Sequence, residues 1–158
     1  MIKTDEAFWL RQLRDLERYC NAKGYRVVCK PAAGEVVYFE KKLIVLDTKK
    51  SDEITMYYLL HEIGHIRLLN SKKYEKLYGY VFTNFSKASL TYKCAVLQEE
   101  LDAWQEGLKL AETLKMHVDR RKWEMTKTKC LATYLTWALA DKTRKKKRKE
   151  ANEASTKD

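Results

Sequence analysis

Apolar residues recur with a helical period at the start of this chain, then in shorter β-like runs, and then with a helical period again. Within residues 5–22, Trp9, Leu13 and Leu16 follow one another at helical spacing, and Gly24 comes next as a stop signal. This pattern predicts a first amphipathic helix that ends before Gly24.

Three short runs of β-like composition follow, at residues 25–30, 35–40 and 43–47. Because the connections between them are short, we expect an antiparallel meander. An edge strand of such a sheet can bind an extended peptide, so one of these strands is a candidate substrate template. The alternative is that the strands only support the next helix.

The next helical segment begins at Ser51, a good N-cap residue, and has the acidic residues Asp52 and Glu53 in its first turn. Its apolar stripe includes Gly64, and a glycine inside a helix usually marks close packing. We therefore expect Gly64 to face a neighbouring helix. The stripe is formed by Tyr57, Leu60, Gly64 and Leu68.

Beside this stripe the chain reads His61-Glu62-Ile63-Gly64-His65, which matches the zinc-binding pattern H-E-x-x-H. Residues four positions apart lie on one face of a helix, so both imidazoles can reach one metal ion. The Glu62 carboxylate can then reach a water beside the metal without binding the metal itself. The alternatives are a chance match and two core histidines, although the second leaves Glu62 unexplained.

A catalytic zinc site takes three protein ligands and leaves one position open, so a third ligand is needed. We expect it on a helix over residues 98–107, where Glu100 is the one carboxylate on a face of small and apolar residues. A lone carboxylate on such a face is costly to bury unless it is paired or binds a metal. The alternatives are Glu99 as the ligand, His117 as a more distant ligand, and pairing of Glu100 with a Lys or Arg.

The same helix has a polar face, which we expect to be solvated. Loss of Glu100 should therefore weaken zinc binding, whereas loss of Glu99 should have little effect. The small residues Ala103 and Gly107 should let this helix approach the zinc helix closely. The polar face is formed by Glu99, Asp102, Glu106 and Lys109.

The run from His61 to Leu69, followed by Glu100-Leu101-Asp102-Ala103-Trp104, resembles the ImmA/IrrE-type metallopeptidase family and its small phage-borne members. The resemblance covers roughly residues 25–115. It implies a zincin-like fold in which His61, His65 and Glu100 bind zinc and Glu62 is the catalytic glutamate. Targets of that family include helix-turn-helix repressors, but no residue of this chain indicates such a target. The chain lacks the E-x-x-x-D motif of thermolysin-like enzymes, so no second carboxylate is predicted to orient a zinc histidine.

Residues 71–90 form an aromatic segment, which we interpret as a packed connector, with a rim or lid of the cleft as the alternative. Peptide hydrolysis also needs a donor for the oxyanion of its tetrahedral intermediate. The candidate donors are Tyr78, Tyr80, Tyr92 and His117. A last helix is predicted over residues 120–142, and its apolar face indicates core packing without a chemical role. That face is formed by Trp123, Cys130, Tyr134 and Trp137.

Residues 142–158 are strongly basic, with eight Lys or Arg against three Asp or Glu, and carry about half of the net charge of +10. Such a run is usually a solvated, flexible tail. It can also hold nucleic acid weakly through phosphate charge, without sequence preference and with strong salt dependence. The candidate contact residues are Arg144, Lys145, Lys146, Lys147, Arg148 and Lys149.

The composition fits a globular protein with one core, since 45% of the 158 residues are hydrophobic and 34% are charged. Four scattered cysteines and a start unlike a signal peptide predict a reduced, cytoplasmic protein. No run is long and apolar enough to cross a bilayer, so we expect no membrane contact.

Together these features predict a single α+β, zincin-like metallopeptidase domain over residues 1–141. It should have a small antiparallel sheet packed on helices, followed by a flexible basic tail over 142–158. The expected function is zinc-dependent hydrolysis of a peptide bond in a protein substrate, such as a regulatory or DNA-bound protein, with Zn²⁺ as cofactor. The alternatives are a zinc-containing binding protein that disables a partner without cleavage, and a nucleic-acid-associated protein that acts through its tail.

Overall fold

The computed structural model describes residues 6–72 and 74–155, with side chains in 6–72 and 74–140. Its combination of helices and one small sheet confirms the α+β class. The elements are α1 (Glu6–Ala22), β1 (Arg26–Lys30), β2 (Val36–Tyr38), β3 (Leu43–Asp47), α2 (Asp52–Leu69), a π-helical turn (Glu75–Gly79), α3 (Tyr80–Asn84), α4 (Leu90–Thr113) and α5 (Arg120–Ser155).

The three strands form a mixed sheet in the order β1–β3–β2. β1 runs parallel to β3, with Arg26 opposite Leu43, and β2 runs antiparallel to β3, with Val36 opposite Val45. The predicted antiparallel meander is therefore wrong for β1. The prediction assumed that strands adjacent in sequence are adjacent in the sheet. Instead β3, the most buried of the three strands, takes the central position and leaves β2 at an edge.

Helix α2 lies at the centre of the hydrophobic core, covered by α1, α4, α5 and the sheet. The predicted face of α1, including Trp9 and Leu16, is buried against it. Trp9 meets Tyr57 of α2 edge-on, with 6.3 Å between ring centroids, and Tyr57 meets Trp123 of α5 at 5.4 Å. Residues of three separate helices thereby fix the position of α2.

Two glycines bring the backbones of α2 and α4 into direct contact. A Cβ added at Gly64 would lie 2.8 Å from the carbonyl carbon of Ala103, and closer still to its oxygen. A Cβ added at Gly107 would lie 2.8 Å from the carbonyl carbon of Leu60. The expectation that small residues allow these two helices to approach closely is confirmed.

The middle of the aromatic segment between α2 and α4 is helical, because the π-helical turn runs directly into α3. Tyr78 is buried, and its hydroxyl donates a hydrogen bond to Asp102 of α4. Tyr74 donates to Glu99, also on α4, at 3.3 Å. These two bonds attach the segment to α4, as the interpretation as a packed connector requires.

Helix α5 continues through the predicted boundary at residues 141 and 142 and ends at Ser155. The basic run therefore lies on the same helix as Trp123, and no change of secondary structure separates it from the domain. The side chains of this run lie outside the described part of the chain, so the flexible tail stays a prediction. Within the described ranges, none of the helices has both the length and the apolar character needed to cross a bilayer.

Candidate metal centre

Helix α2 places His61, Glu62 and His65 in the protein interior. Ser51 caps the helix by accepting a hydrogen bond from the Ile54 amide, as its N-cap position predicts. The exposed fractions of His61, Glu62 and His65 are 3%, 4% and 8%. The two imidazoles are neighbours, with ring centroids 4.6 Å apart. The predicted four-residue spacing thus brings both rings to one place.

Glu100 of α4 completes a ligand cluster with His61 and His65, and it is itself only 5% exposed. Its Oε2 lies 3.1 Å from His61 Nε2, and its Oε1 lies 3.6 Å from His65 Nε2. One ligand atom from each of the three residues can be chosen so that all lie within 4.8 Å of one another. The structure therefore brings together the three residues that were predicted as metal ligands.

The ligand cluster has donors that suit a zinc ion, and its two histidine–carboxylate distances suit that ion as well. Two imidazoles and one carboxylate are a common set for catalytic zinc. Ligand atoms at about 2.0–2.1 Å from a tetrahedral ion are separated by about 3.4 Å, and the two Nε2–carboxylate distances of 3.1 and 3.6 Å bracket that value. The alternative pairing of Glu100 with a Lys or Arg is not observed among the ion pairs of the described residues.

The electrostatics of the cluster favour bound positive charge. Burial by itself would raise the pKa of the Glu100 carboxyl, but hydrogen bonding to His61 and His65 outweighs burial and lowers that pKa. Burial would lower the pKa of both histidines, yet their contacts with Glu100 and the neighbouring carboxylates raise it. The direction of these shifts reflects buried carboxylates that attract positive charge, which a divalent cation would also supply.

Glu99 occupies a different environment from the one predicted. Its side chain is only 17% exposed, and its Oε1 lies 3.5 Å from His65 Nδ1 while Nε2 of the same ring faces Glu100. A metal-binding histidine commonly donates its second ring N–H to a carboxylate, which fixes the ring orientation. Glu99 has that relation to His65. The expectation of a solvated Glu99 is wrong, because adjacent residues on α4 flank the imidazole from two sides.

Trp104 of α4 supports the other histidine. Its indole stacks on His61 with 4.5 Å between centroids and an interplanar angle of 16°. The Glu62 carboxylate lies near the ring nitrogen that does not face Glu100, with Oε1 3.4 Å from His61 Nδ1. His61 therefore stacks on an aromatic plane and is hydrogen-bonded to Glu100, whereas its Nδ1 has no hydrogen-bond partner among the described residues.

The ligand cluster opens into a metal cavity of about 250 Å³. Val36 and Val37 of the edge strand β2 line one part of its wall, and Cys130 and Tyr134 of α5 line another. Burial and the nearby Glu100 carboxylate raise the pKa of Tyr134, which keeps its phenol protonated. The interpretation of this face of α5 as core packing is confirmed for Trp123 and Cys130, but Cys130 and Tyr134 also line the metal cavity, which the sequence did not predict. No motif marks them, because they lie far from the zinc helix in sequence.

The four predicted oxyanion donors lie outside the wall of the metal cavity. Tyr78 is bonded to Asp102, and Tyr80 is 67% exposed to solvent. Tyr92 lines a different cavity, and His117 packs against Phe8 and Trp9. The tyrosines that line this cavity instead are Tyr58 and Tyr134, and Tyr134 lies beside Glu100.

The predicted nucleic-acid contacts, Arg144 to Lys149, lie on the described backbone of α5, but their side chains are outside the described part of the chain.

Comparison with protein-family models, with curated proteins and with solved structures gives no match. The resemblance to the ImmA/IrrE-type family therefore stays a prediction from two short motifs.

Proposed function

We propose that this chain is a zinc-dependent metallopeptidase with a zincin-like domain, which cleaves a peptide bond in a protein substrate. The observation that carries the proposal is the convergence of His61, His65 and Glu100 beside Glu62 in the wall of an open cavity. Zinc bound by these three ligands would supply Lewis acidity, which polarises a carbonyl and makes a neighbouring water more acidic.

Glu62 is the proposed general base. Its carboxylate is buried in the wall of the metal cavity and is not one of the three clustered ligands. From there it would accept a proton from the attacking water and donate that proton to the leaving amine. Tyr134, whose phenol lies beside Glu100, is the proposed donor to the carbonyl oxygen as negative charge develops on it.

The edge strand β2 is the proposed binding site for the substrate backbone. It pairs with β3 on one side only, and its Val36 and Val37 line the metal cavity. An extended peptide can therefore add to its open side through main-chain hydrogen bonds, which bind many sequences with similar strength. The scissile bond would then pass in front of the ligand cluster.

The test combines metal content with hydrolysis in matched variants. Wild type should hold about one zinc per chain, as expected for a three-ligand site. Glu100→Ala should lose it, and Glu112→Ala, a change to an exposed carboxylate on the same helix, should keep it. Glu62→Gln should keep zinc and lose cleavage of casein or of a lysate protein. A wild type that takes up no zinc after reloading would refute the proposal.

A second candidate is the zinc-containing binding protein. Cys130 lines the same cavity but lies outside the three-residue ligand cluster, so it would have to move to become a fourth ligand; zinc sites with four protein ligands are typically structural rather than catalytic. If Cys130 is a fourth ligand, Cys130→Ala should lower zinc affinity steeply. If the site is catalytic, the same change should leave zinc affinity unchanged, since three ligands remain.

A further inference from the structure

A second cavity adjoins the metal cavity on its α5 side. This side cavity has a volume of about 410 Å³ and lies between the start of α4 and the middle of α5. It is lined by Lys87, Tyr92, Val96, Thr133, Tyr134 and Trp137. Tyr134 lines both cavities, so the side cavity and the metal cavity share one residue of α5.

The walls of the side cavity are apolar, and neighbouring contacts hold them in place. Lys93 donates a hydrogen bond to the Ala138 carbonyl at 3.1 Å and lies 5.4 Å from the centre of the Trp137 ring. Tyr92 packs on Phe82 with 5.2 Å between ring centroids. Trp137 nevertheless remains 41% exposed. An exposed tryptophan that is fixed by its neighbours and lies in a concave apolar surface is typical of a binding site.

We propose that the side cavity binds a large apolar side chain of the substrate, aromatic or long aliphatic, next to the bond that is cleaved. The inference rests on the proposed function and names its substrate class. β2 and α5 each contribute to the wall of the metal cavity, and successive side chains of an extended peptide added to β2 would point to opposite faces. A side chain directed toward α5 would meet Tyr134, which also lines the side cavity.

The test measures binding, so that it does not depend on turnover. Acetohydroxamate and phenylalkyl hydroxamates of increasing linker length are titrated into zinc-loaded protein by calorimetry. The hydroxamate group binds the metal, and only the longer probes reach beyond Tyr134. Burial of one phenyl ring should make the best phenylalkyl probe about ten- to a hundred-fold tighter than acetohydroxamate.

Two variants assign that gain to the side cavity. Val96→Trp fills the cavity and Trp137→Ala removes a wall, so each should reduce the advantage of the phenyl group. Both should leave the affinity of acetohydroxamate unchanged, which also reports that the variants are folded. Leu135→Ala is the control, because Leu135 is 49% exposed on the same helix and does not line the cavity.

The outcomes separate this inference from the proposed function. Binding of acetohydroxamate without any gain from the phenyl group overturns the substrate class and leaves the zinc site intact. Failure of every hydroxamate to bind zinc-loaded protein overturns the proposed open zinc site itself. A stable dimer in sedimentation that is lost in Trp137→Ala assigns the side cavity to a second copy of the chain, and also overturns the inference.

Discussion

Gly64→Ala should both destabilise the protein and weaken zinc binding, because Gly64 sets the distance between α2 and α4. The added methyl carbon would lie 2.8 Å from the Ala103 carbonyl carbon. Ordinary carbon–carbon contacts are about 3.5–4.0 Å, so α4 would have to move away by about 1 Å. The obstacle is backbone, which cannot rotate aside as a side chain can.

Two opposing free energies decide the sign of the stability change. Alanine is a better helix former than glycine by about 1 kcal/mol. Overpacking costs about 1–3 kcal/mol, and a clash with backbone falls at the upper end of that range. The net loss in the free energy of unfolding should be about 2 kcal/mol. For a chain of this size that corresponds to a fall in Tm of about 4–8 °C.

The same movement separates Glu100 from the histidines. His61 Nε2 and Glu100 Oε2 are 3.1 Å apart, and retreat of α4 by about 1 Å would leave them too far apart for one ion. Zinc affinity, measured by competition with a chromogenic chelator, should fall at least about tenfold, the lower end for a disturbed site. The control is Gly34→Ala, where an added Cβ meets nothing within 4 Å. Unchanged Tm and zinc affinity in Gly64→Ala would refute the backbone contact.

Substitutions at three further residues test other parts of the structure. Glu99→Ala should lower zinc affinity about ten- to a hundred-fold. Glu99→Gln should lower it less, because an amide oxygen can still accept a hydrogen bond from His65 Nδ1. Equal zinc affinity in wild type and Glu99→Ala would mean that Glu99 is a solvated residue without influence on the metal site. Tyr57→Phe should reduce the free energy of unfolding, measured by urea titration, by about 1–3 kcal/mol without changing zinc content. The reason is that the Tyr57 hydroxyl donates a hydrogen bond to Glu53 at 2.8 Å and accepts one from the Asp119 amide at 3.0 Å. Asp47→Asn should lower Tm near neutral pH. Hydrogen bonds from the Lys49 and Ala32 amides lower the pKa of Asp47, so they stabilise the fold only while its carboxylate is ionised. The difference in Tm should therefore disappear as the pH falls through that pKa. A difference that persists at low pH would exclude this origin.

The parts of the site that were predictable from sequence depend on local periodicity. A helix of known period converts the spacing of His61 and His65 into a common face, and the same reasoning selects Glu100 on α4. The close packing at Gly64 was also predictable, because a glycine on the apolar stripe of a helix usually marks close packing. Each of these inferences needs only the residues of a single helix.

The remaining features depend on contacts between elements. The order of the sheet follows from how deeply β3 is buried, which the three similar apolar runs do not reveal. The position of Tyr134 depends on how α5 crosses the metal cavity, and that of Glu99 depends on the rotation of α4 against α2. A helical pattern identifies the buried face of each helix, but it does not identify the neighbour on that face.

The stacking of Trp104 on His61 makes the protein its own optical probe. An indole in face-to-face contact with an imidazole senses the charge near that ring, so its fluorescence should change when a metal ion binds at His61. A coloured ion such as Co²⁺ would in addition accept excitation energy from the indole at this short range. Occupancy of the site can therefore be followed by emission, without a dye or a substrate.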